Sequence, residues 1–150
     1  QALGNDNLKF WRSASHFKRY EERTWTVIEQ VGLRERAHTA ARTLPHGDQR
    51  KLELGVILAP DPEVLMLDEP TAGMASEQVP ELITLIQHIQ KTGDKTIMLV
   101  EHNMNVVMNV SDAITVMHMG KVLAEGTPAA IAADKEVQTA YLGGLYELNF

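Results

Sequence analysis

The stretch VLMLDEPTAGMA, residues 64–75, joins a short apolar run to two adjacent carboxylates, a proline and a glycine. An apolar run of this length, bounded by turn residues, predicts a buried strand. Asp68 then lies at the carboxyl end of the strand, where its oxygens suit Mg²⁺, directly or through water. Glu69 follows, where a carboxylate can orient a water for attack on a phosphoryl group. The alternative is a strand that simply ends in polar residues before a turn.

Composition narrows the class of protein. The 150 residues are 44% hydrophobic and 23% charged, as in one ordinary globular domain. The net charge of −6 argues against a nucleic-acid binder. The absence of cysteine excludes disulfides, thiolate metal sites and cysteine nucleophiles. No run approaches the roughly 18 apolar residues of a membrane helix, so we expect any membrane connection to run through a partner.

Apolar spacing and stop residues predict helices along much of the chain. They cover residues 16–31 with Gly32 as C-cap, 34–42, 48–59, 77–90 with Ser76 as N-cap, 103–110, and one or two helices within 127–142 with Thr127 as cap. Three apolar runs that do not alternate predict strands covered on both faces, as in a parallel sheet. These runs are residues 64–67, 96–100 and 113–117, and residues 119–126 are expected to form a turn and a final strand. The alternation of strands and helices predicts an α/β fold.

The methionines and most of the histidines show no pattern of a binding site. The methionines on predicted strands and on the short helix are expected to fill the core. They are Met98, Met104, Met108, Met117 and Met119. Four histidines lack metal-ligand spacing and are expected to be structural or surface residues. They are His16, His38, His88 and His118.

Three motifs in order carry a resemblance to a known family. LPHGDQRKLE (44–53) precedes DEPTAGM (68–74), and LVEHN (99–103) falls on the next strand. Together they resemble the ATP-binding cassette (ABC) ATPases over at least residues 28–142. In that resemblance VLMLDEP is similar to the Walker B strand, LPHGDQR to the signature motif, and MLVEH to the strand that ends in the switch histidine.

The resemblance implies a P-loop NTPase-like parallel sheet flanked by helices, with part of the ABC helical subdomain at the N-terminus. Residues 1–150 would form the C-terminal part of one ABC ATPase domain. Residues 1–59 would belong to the helical subdomain and include the signature motif, and residues 60–150 to the catalytic α/β core.

The resemblance also implies roles for individual residues. Asp68 would be the metal ligand, Glu69 the catalytic carboxylate, and His102 the group that couples the γ-phosphate to Glu69 and the water. The signature residues would bind ATP held mainly by a partner subunit, through backbone N–H groups at a helix start. These residues are Leu44, Pro45, His46, Gly47, Asp48 and Gln49.

This sequence departs from the family pattern at several of these positions. Pro45 stands where a serine is common, and His46 and Asp48 replace the usual glycine and glutamine. Ala75 stands where many members have an aspartate. Each change is expected to remove a hydrogen bond or two from ATP binding, about 1–3 kcal/mol if nothing replaces the donor.

A P-loop requires a glycine, four residues, and then Gly-Lys-Ser/Thr. The only Gly-Lys pair is Gly120–Lys121; Val122 follows it, and Thr115 occupies the place of the first glycine. We therefore expect the chain to be a C-terminal fragment that lacks the Walker A motif and is inactive alone.

Residues 44–74 and 123–144 are similar to the subfamily that drives uptake of branched-chain amino acids, with urea and amide importers close by. This implies an ATP-binding and ATP-hydrolysing importer subunit that uses ATP and Mg²⁺. Its partners would be transmembrane permease subunits, a second ATPase subunit and, indirectly, a periplasmic or extracellular solute-binding protein, but no nucleic acid. It would be cytoplasmic and peripheral on the inner face of the cell membrane. The alternatives are a soluble ABC-family ATPase, or a non-catalytic interaction module as the isolated chain.

Overall fold

The computed structural model of the protein describes residues 18–92 and 95–142. The chain divides between Glu101 and His102 into two compact units. The first unit contains three α-helices and two strands, and the second three α-helices and two strands, among the described residues.

The first helix of the N-terminal unit, α1, spans Lys18–Gln30. It ends as predicted at Gly32, whose φ of +70° is a left-handed conformation that glycine adopts without steric cost. The Leu33 N–H donates to Ile28 O at 2.9 Å and closes the helix. Residues 16 and 17 of the predicted helix lie outside the described residues.

The single helix predicted over residues 34–42 is wrong. Two 3₁₀ turns, Arg34–Arg36 and Ala41–Thr43, take its place. Between them Ala40 has an extended backbone, with ψ of 130°, so helical hydrogen bonding cannot continue through it.

The second helix, α2, spans His46–Leu58, two residues earlier than predicted at its start. Pro45 immediately precedes it with φ of −55° and ψ of 153°, an extended conformation that suits the residue before a helix. Gly55 of α2 is buried, and a Cβ there would lie 3.4 Å from Val31 Cγ2. This is ordinary contact, so α2 packs against the end of α1 at Gly55.

Strands β1, Val64–Asp68, and β2, Thr96–Val100, pair in parallel, with Met66 opposite Met98. The helix between them, α3, spans Val79–Thr92. On β1 and α3, the buried apolar side chains recur at the spacing of one covered face. The buried residues are Leu65, Leu67, Val79, Leu82, Leu85, Ile86 and Ile89.

The predicted start of α3, with Ser76 as its N-cap, is wrong. Residues 75–78 form a turn, in which the Gln78 N–H donates to Ala75 O at 2.9 Å. The helix therefore begins at Val79, and Pro80 falls in its first turn, as predicted, where its missing N–H costs nothing.

The prediction that strands are covered on both faces is also wrong. In β1 the side chains of Leu65 and Leu67 are buried, whereas Val64 and Met66 are 57% and 70% exposed. In β2, Met98 is exposed as well. Among the described residues the sheet of β1 and β2 has only two strands, and alternate side chains on it face outward.

The first helix of the second unit, α4, spans Met104–Val110. It begins one residue later than predicted, and the Asn103 side chain caps it. A hairpin of β3, Ile114–His118, and β4, Lys121–Gly126, follows. Two further helices end the described chain. They are α5, Pro128–Ala133, and α6, Lys135–Leu142.

The third predicted strand does not join a parallel sheet, because β3 pairs antiparallel with β4. Only Met119 and Gly120 connect the two strands, with φ of 47° and 74°. A two-residue connection with both φ values positive joins antiparallel neighbours, whereas parallel strands need a long crossover.

Helices α5 and α6 cover one side of this hairpin. The apolar core of the unit consists of Ile114, Val116, Ile131 and Val137. The hydroxyl of Thr127 accepts a hydrogen bond from the Ala130 N–H, which confirms the predicted cap.

The prediction that five methionines fill the core is wrong for three of them and holds for Met108, and Met104 is half-buried. Met98, Met117 and Met119 are exposed, because they lie on outward-facing strand positions and on the hairpin turn. Met108 packs against the core of the second unit. None of the helices in residues 18–92 and 95–142 combines the length and the apolar character needed to cross a membrane.

Candidate functional site

The backbone turns sharply at the carboxyl end of β1. Parallel pairing continues one residue beyond the strand, because the Glu69 N–H donates to Val100 O at 2.8 Å. Glu69 has a φ of 43°, a left-handed conformation that costs a residue with a Cβ on the order of 1–2 kcal/mol. The Ala72 N–H then donates to Glu69 O at 2.9 Å, and the Met74 N–H donates to Thr71 O at 3.1 Å. We call residues 69–74 the Glu69 loop; it is an ordered turn and not a simple strand end.

Asp68 and Glu69 are both exposed at this edge of the sheet. Within residues 18–92 and 95–142, no group of three or more His, Cys, Asp or Glu side chains is arranged to hold a metal ion. Mg²⁺ is commonly held by one or two carboxylates together with phosphate oxygens, and not by a cage made of protein ligands alone. An exposed Asp68 carboxylate fits the first arrangement.

The predicted signature residues form the loop and first turn at the start of α2, and we call residues 44–49 the signature loop. Leu44 is buried and its carbonyl accepts a hydrogen bond from Gln49 Nε2 at 2.9 Å. Pro45 is exposed and provides no side-chain cap for the helix. The first N–H groups of a helix have no partner within the helix, and they carry its positive dipole end. This end of α2 therefore offers donors to an anion.

The signature loop contacts the chain that follows β1. Gly47 is buried, and a Cβ there would lie 2.8 Å from Nε2 of Gln78. His46 is exposed overall, but its ring lies 3.5 Å from the position of a Cβ on Gly73, whose φ is +74°. The structure thus brings two of the three sequence motifs together within the first unit.

Asp48 of the signature loop is already paired with basic side chains. Arg36 Nε lies 2.9 Å and Lys51 Nζ 3.7 Å from its carboxylate oxygens. Lys51 Nζ also lies 2.6 Å from Glu81 Oε2, and this hydrogen bond holds the pKa of Glu81 below its usual range. The charge of Asp48 is therefore compensated inside the protein, which lessens its repulsion of a nearby phosphate.

Three residues at this site were not predicted from the sequence. The Thr71 side chain is 8% exposed, and its N–H donates to Glu101 Oε1 at 3.1 Å. The Thr71 hydroxyl donates to the same oxygen. From the other side, Arg50 Nη2 donates to Ala72 O at 3.1 Å. The position of Glu101, directly after a strand predicted to lie parallel to β1, is the signal that places it at the same edge of the sheet.

His102 is exposed and is the first residue of the second unit. It follows Glu101 and precedes Asn103, whose side chain caps α4. Its proposed role toward a phosphate thus rests on its place in the sequence two residues after β2.

Comparisons with known proteins agree with the motifs. The sequence model described as "ABC transporter" matches residues 3–72, and that described as "Branched-chain amino acid ATP-binding cassette transporter" matches residues 121–146. The chain is 43% identical over 122 residues to the high-affinity branched-chain amino acid transport ATP-binding protein LivG of Salmonella typhimurium, covering 81% of this chain and 48% of LivG. It is 41% identical over 116 residues to the high-affinity branched-chain amino acid transport ATP-binding protein BraF of Pseudomonas aeruginosa, covering 77% of this chain and 46% of BraF. The chain spans about half the length of these curated relatives.

Solved structures show the same relationship. The ADP conformation of MJ1267, an ATP-binding cassette of an ABC transporter, has a TM-score of 0.75 at 26% identity, covering 83% of this chain and 50% of MJ1267. CbiO1 from Clostridium perfringens, part of the ABC transporter complex cbiONQ, also has a TM-score of 0.75 at 26% identity, covering 96% of this chain and 57% of CbiO1. These structures confirm the predicted α/β fold class. The chain therefore belongs to the family of ABC transporter ATP-binding domains.

Proposed function

We propose that the whole protein to which these residues contribute is the ATP-binding and ATP-hydrolysing subunit of an ABC importer for branched-chain amino acids. The observation that carries the proposal is the contact of the signature loop with the Glu69 loop and Gln78. It joins a helix start, whose N–H groups can donate to an anion, to the segment that follows the exposed carboxylates of Asp68 and Glu69. The similarity to LivG and BraF supports the choice of solute.

The residues of the site divide the chemistry among themselves. Glu69 holds the attacking water and accepts its proton, as a general base does. His102 donates a hydrogen bond to the γ-phosphate. The N–H groups at the start of α2 donate to phosphate oxygens of a nucleotide held mainly by a second ATPase subunit. Asp68 would hold Mg²⁺, which when bound offsets the negative charge of the phosphates.

The 150 residues contain no Gly-x₄-Gly-Lys-Ser/Thr sequence. A P-loop supplies the backbone N–H groups and the lysine that cradle the phosphates in P-loop NTPases. We infer that these residues alone do not hydrolyse ATP. Release of inorganic phosphate by the purified 150-residue chain, measured with and without Mg²⁺, tests this, and robust Mg²⁺-dependent turnover would refute it.

The proposal extends to partners and location. The whole subunit would dock on transmembrane permease subunits at the inner face of the cell membrane, pair with a second ATPase subunit, and respond indirectly to a solute-binding protein. CbiO1, a structural neighbour, is described as part of an ABC transporter complex. Co-purification with the permease from detergent-solubilised membranes tests this, and a subunit recovered only without a permease would favour a soluble ABC-family ATPase.

The decisive experiment uses Glu69→Gln in the whole subunit. Loss of the general base is expected to lower kcat about 10²- to 10⁴-fold, while ATP still binds. Glu22→Gln, at an exposed glutamate on α1, is the matched control and should leave kcat unchanged. Hydrolysis at the normal rate by Glu69→Gln would show that Glu69 is not the catalytic carboxylate. Uptake of labelled leucine and of labelled urea into proteoliposomes then separates the two solute classes.

A further inference from the structure

The Glu69 loop is held at its middle by a carboxylate from the neighbouring strand. Thr71 donates both its N–H and its hydroxyl to Oε1 of Glu101, which directly follows β2. Thr71 is the one buried polar residue among residues 18–91 and 95–141. Hydrogen bonds to an ionised acceptor are roughly twice as strong as neutral ones, and a buried hydroxyl has little water as an alternative partner.

These bonds lie two residues from Glu69. Glu69 is held in a left-handed conformation, and its N–H and carbonyl are fixed by Val100 O and the Ala72 N–H. A residue with a Cβ keeps such a conformation only when the surrounding structure over-determines it. The bonds between Thr71 and Glu101 supply part of that restraint, because they tie the loop to the end of β2.

The same oxygen of Glu101 accepts both bonds from Thr71, so this carboxylate oxygen is engaged in holding the loop. The Glu69 side chain is exposed at the edge of the sheet. Glu101 is therefore suited to hold the backbone of the loop, and the exposed Glu69 carboxylate is accessible to a water molecule.

We propose that Glu101, acting through Thr71, is a positioning residue for ATP hydrolysis that sets the place of the Glu69 carboxylate. The inference rests on the proposed function of Glu69. A misplacement of about 1 Å in a reacting group can lower a rate on the order of 100-fold, so a loop freed from Glu101 is expected to lose kcat and not ATP affinity.

The test compares four variants of the whole ATP-binding subunit. Thr71→Val removes the hydroxyl at nearly constant shape, Glu101→Ala removes the acceptor, and Thr71→Ser restores a hydroxyl. Thr115→Val is the matched control, because Thr115 donates to Glu125 at 2.9 Å in an exposed pair on the hairpin of β3 and β4. For each variant kcat, KM for ATP and amide hydrogen exchange at Thr71 and Ala72 are measured.

We expect Thr71→Val and Glu101→Ala each to lower kcat by about 10- to 100-fold, the upper figure being the loss for a reacting group displaced by about 1 Å. The KM for ATP should change less than about 2-fold. Exchange at Thr71 and Ala72 should accelerate in both, Thr71→Ser should recover most of kcat, and Thr115→Val should match the unmodified protein.

Three results would overturn the proposal. Normal kcat in Thr71→Val and Glu101→Ala, alongside a dead Glu69→Gln, would remove the positioning role and leave the proposed function standing. Loss of kcat in Glu101→Ala with unchanged amide exchange at Thr71 and Ala72 would show that Glu101 acts by itself and not through the loop. Normal hydrolysis by Glu69→Gln would instead overturn the proposed function, and the positioning role with it.

Discussion

Replacing Gly47 by alanine tests the close approach of the signature loop to Gln78. A Cβ on Gly47 would lie 2.8 Å from Nε2 and 2.9 Å from Cδ of Gln78, so the Gln78 side chain has to move. Overpacking of this kind costs about 1–3 kcal/mol, and the lower end applies because a flexible side-chain terminus can swing away. Alanine in place of a helical glycine gains about 1 kcal/mol. The Gly47→Ala variant should therefore be neutral or about 1 kcal/mol less stable.

Gly55 provides the matched control in the same helix. A Cβ there would meet Val31 at 3.4 Å and Val27 at 3.5 Å, which is ordinary contact. Gly55→Ala should keep the full propensity gain and raise the free energy of unfolding by up to about 1 kcal/mol. The two variants are thus expected to differ by about 1 kcal/mol or more, although both make the same substitution in α2.

Urea unfolding of the 150-residue chain, followed by circular dichroism, measures this difference. Adding Gln78→Ala to Gly47→Ala should recover stability, with a coupling free energy of about 0.5–1 kcal/mol in a double-mutant cycle. If Gly47→Ala stabilises the chain as much as Gly55→Ala, or if the cycle shows no coupling, the signature loop does not pack on Gln78 as described.

Three further outcomes are expected. A hydrogen bond from Lys95 and the charge of Arg23 lower the pKa of Asp61. Its ion pairs should therefore contribute about 0.2–1 kcal/mol above pH about 4, and this contribution should decline as the pH falls through the lowered pKa. In urea unfolding, Asp61→Asn should lower stability more at pH 7 than at pH 3. Gly120→Ala, at a φ of +74° in open space, should cost about 1 kcal/mol and Gly120→Asn less, as measured by thermal unfolding. In the whole subunit, His102→Ala should lower kcat about 100-fold and change ATP affinity, measured with a fluorescent ATP analogue, far less. Equal losses of kcat and of ATP affinity would indicate a structural histidine.

Local signals in the sequence predicted the structure correctly at positions where it depends on residues close by in the chain. Gly32 ends α1, Thr127 caps α5, and the runs at β1 and β2 form parallel strands. Each depends on backbone chemistry within a few residues, or on an apolar run between turn residues. For the same reason Asp68 and Glu69 were placed correctly at the end of β1.

Sequence reasoning failed where several local patterns compete. Ser76 is a good cap by type, yet the turn over residues 75–78 delays the helix to Val79. An apolar run such as that of β3 does not specify its partner, and the two-residue turn at Met119 and Gly120 decides for antiparallel pairing. Thr71 and Glu101 could not be paired without knowing that β1 and β2 are adjacent, because they are 30 positions apart.

Positive φ angles distinguish a candidate site from an ordinary turn. Among the described residues, Asp61, Glu69 and Met119 are the non-glycine residues with this conformation. Asp61 is short and polar, a type that tolerates it, and its carboxylate pairs with Arg23 and Lys95. Met119 lies in a hairpin turn whose geometry demands it.

Glu69 has neither reason. Its side chain is long, and its loop is not a two-residue hairpin, so the cost of its conformation must be offset by the bonds around it. Those bonds are the ones that Val100, Ala72 and Glu101 provide to the loop. Strain that is maintained in this way tends to occur at functional positions, because it fixes a side chain where a relaxed backbone would not place it. The left-handed Glu69 thus favours a site over the alternative of a strand that merely ends in polar residues.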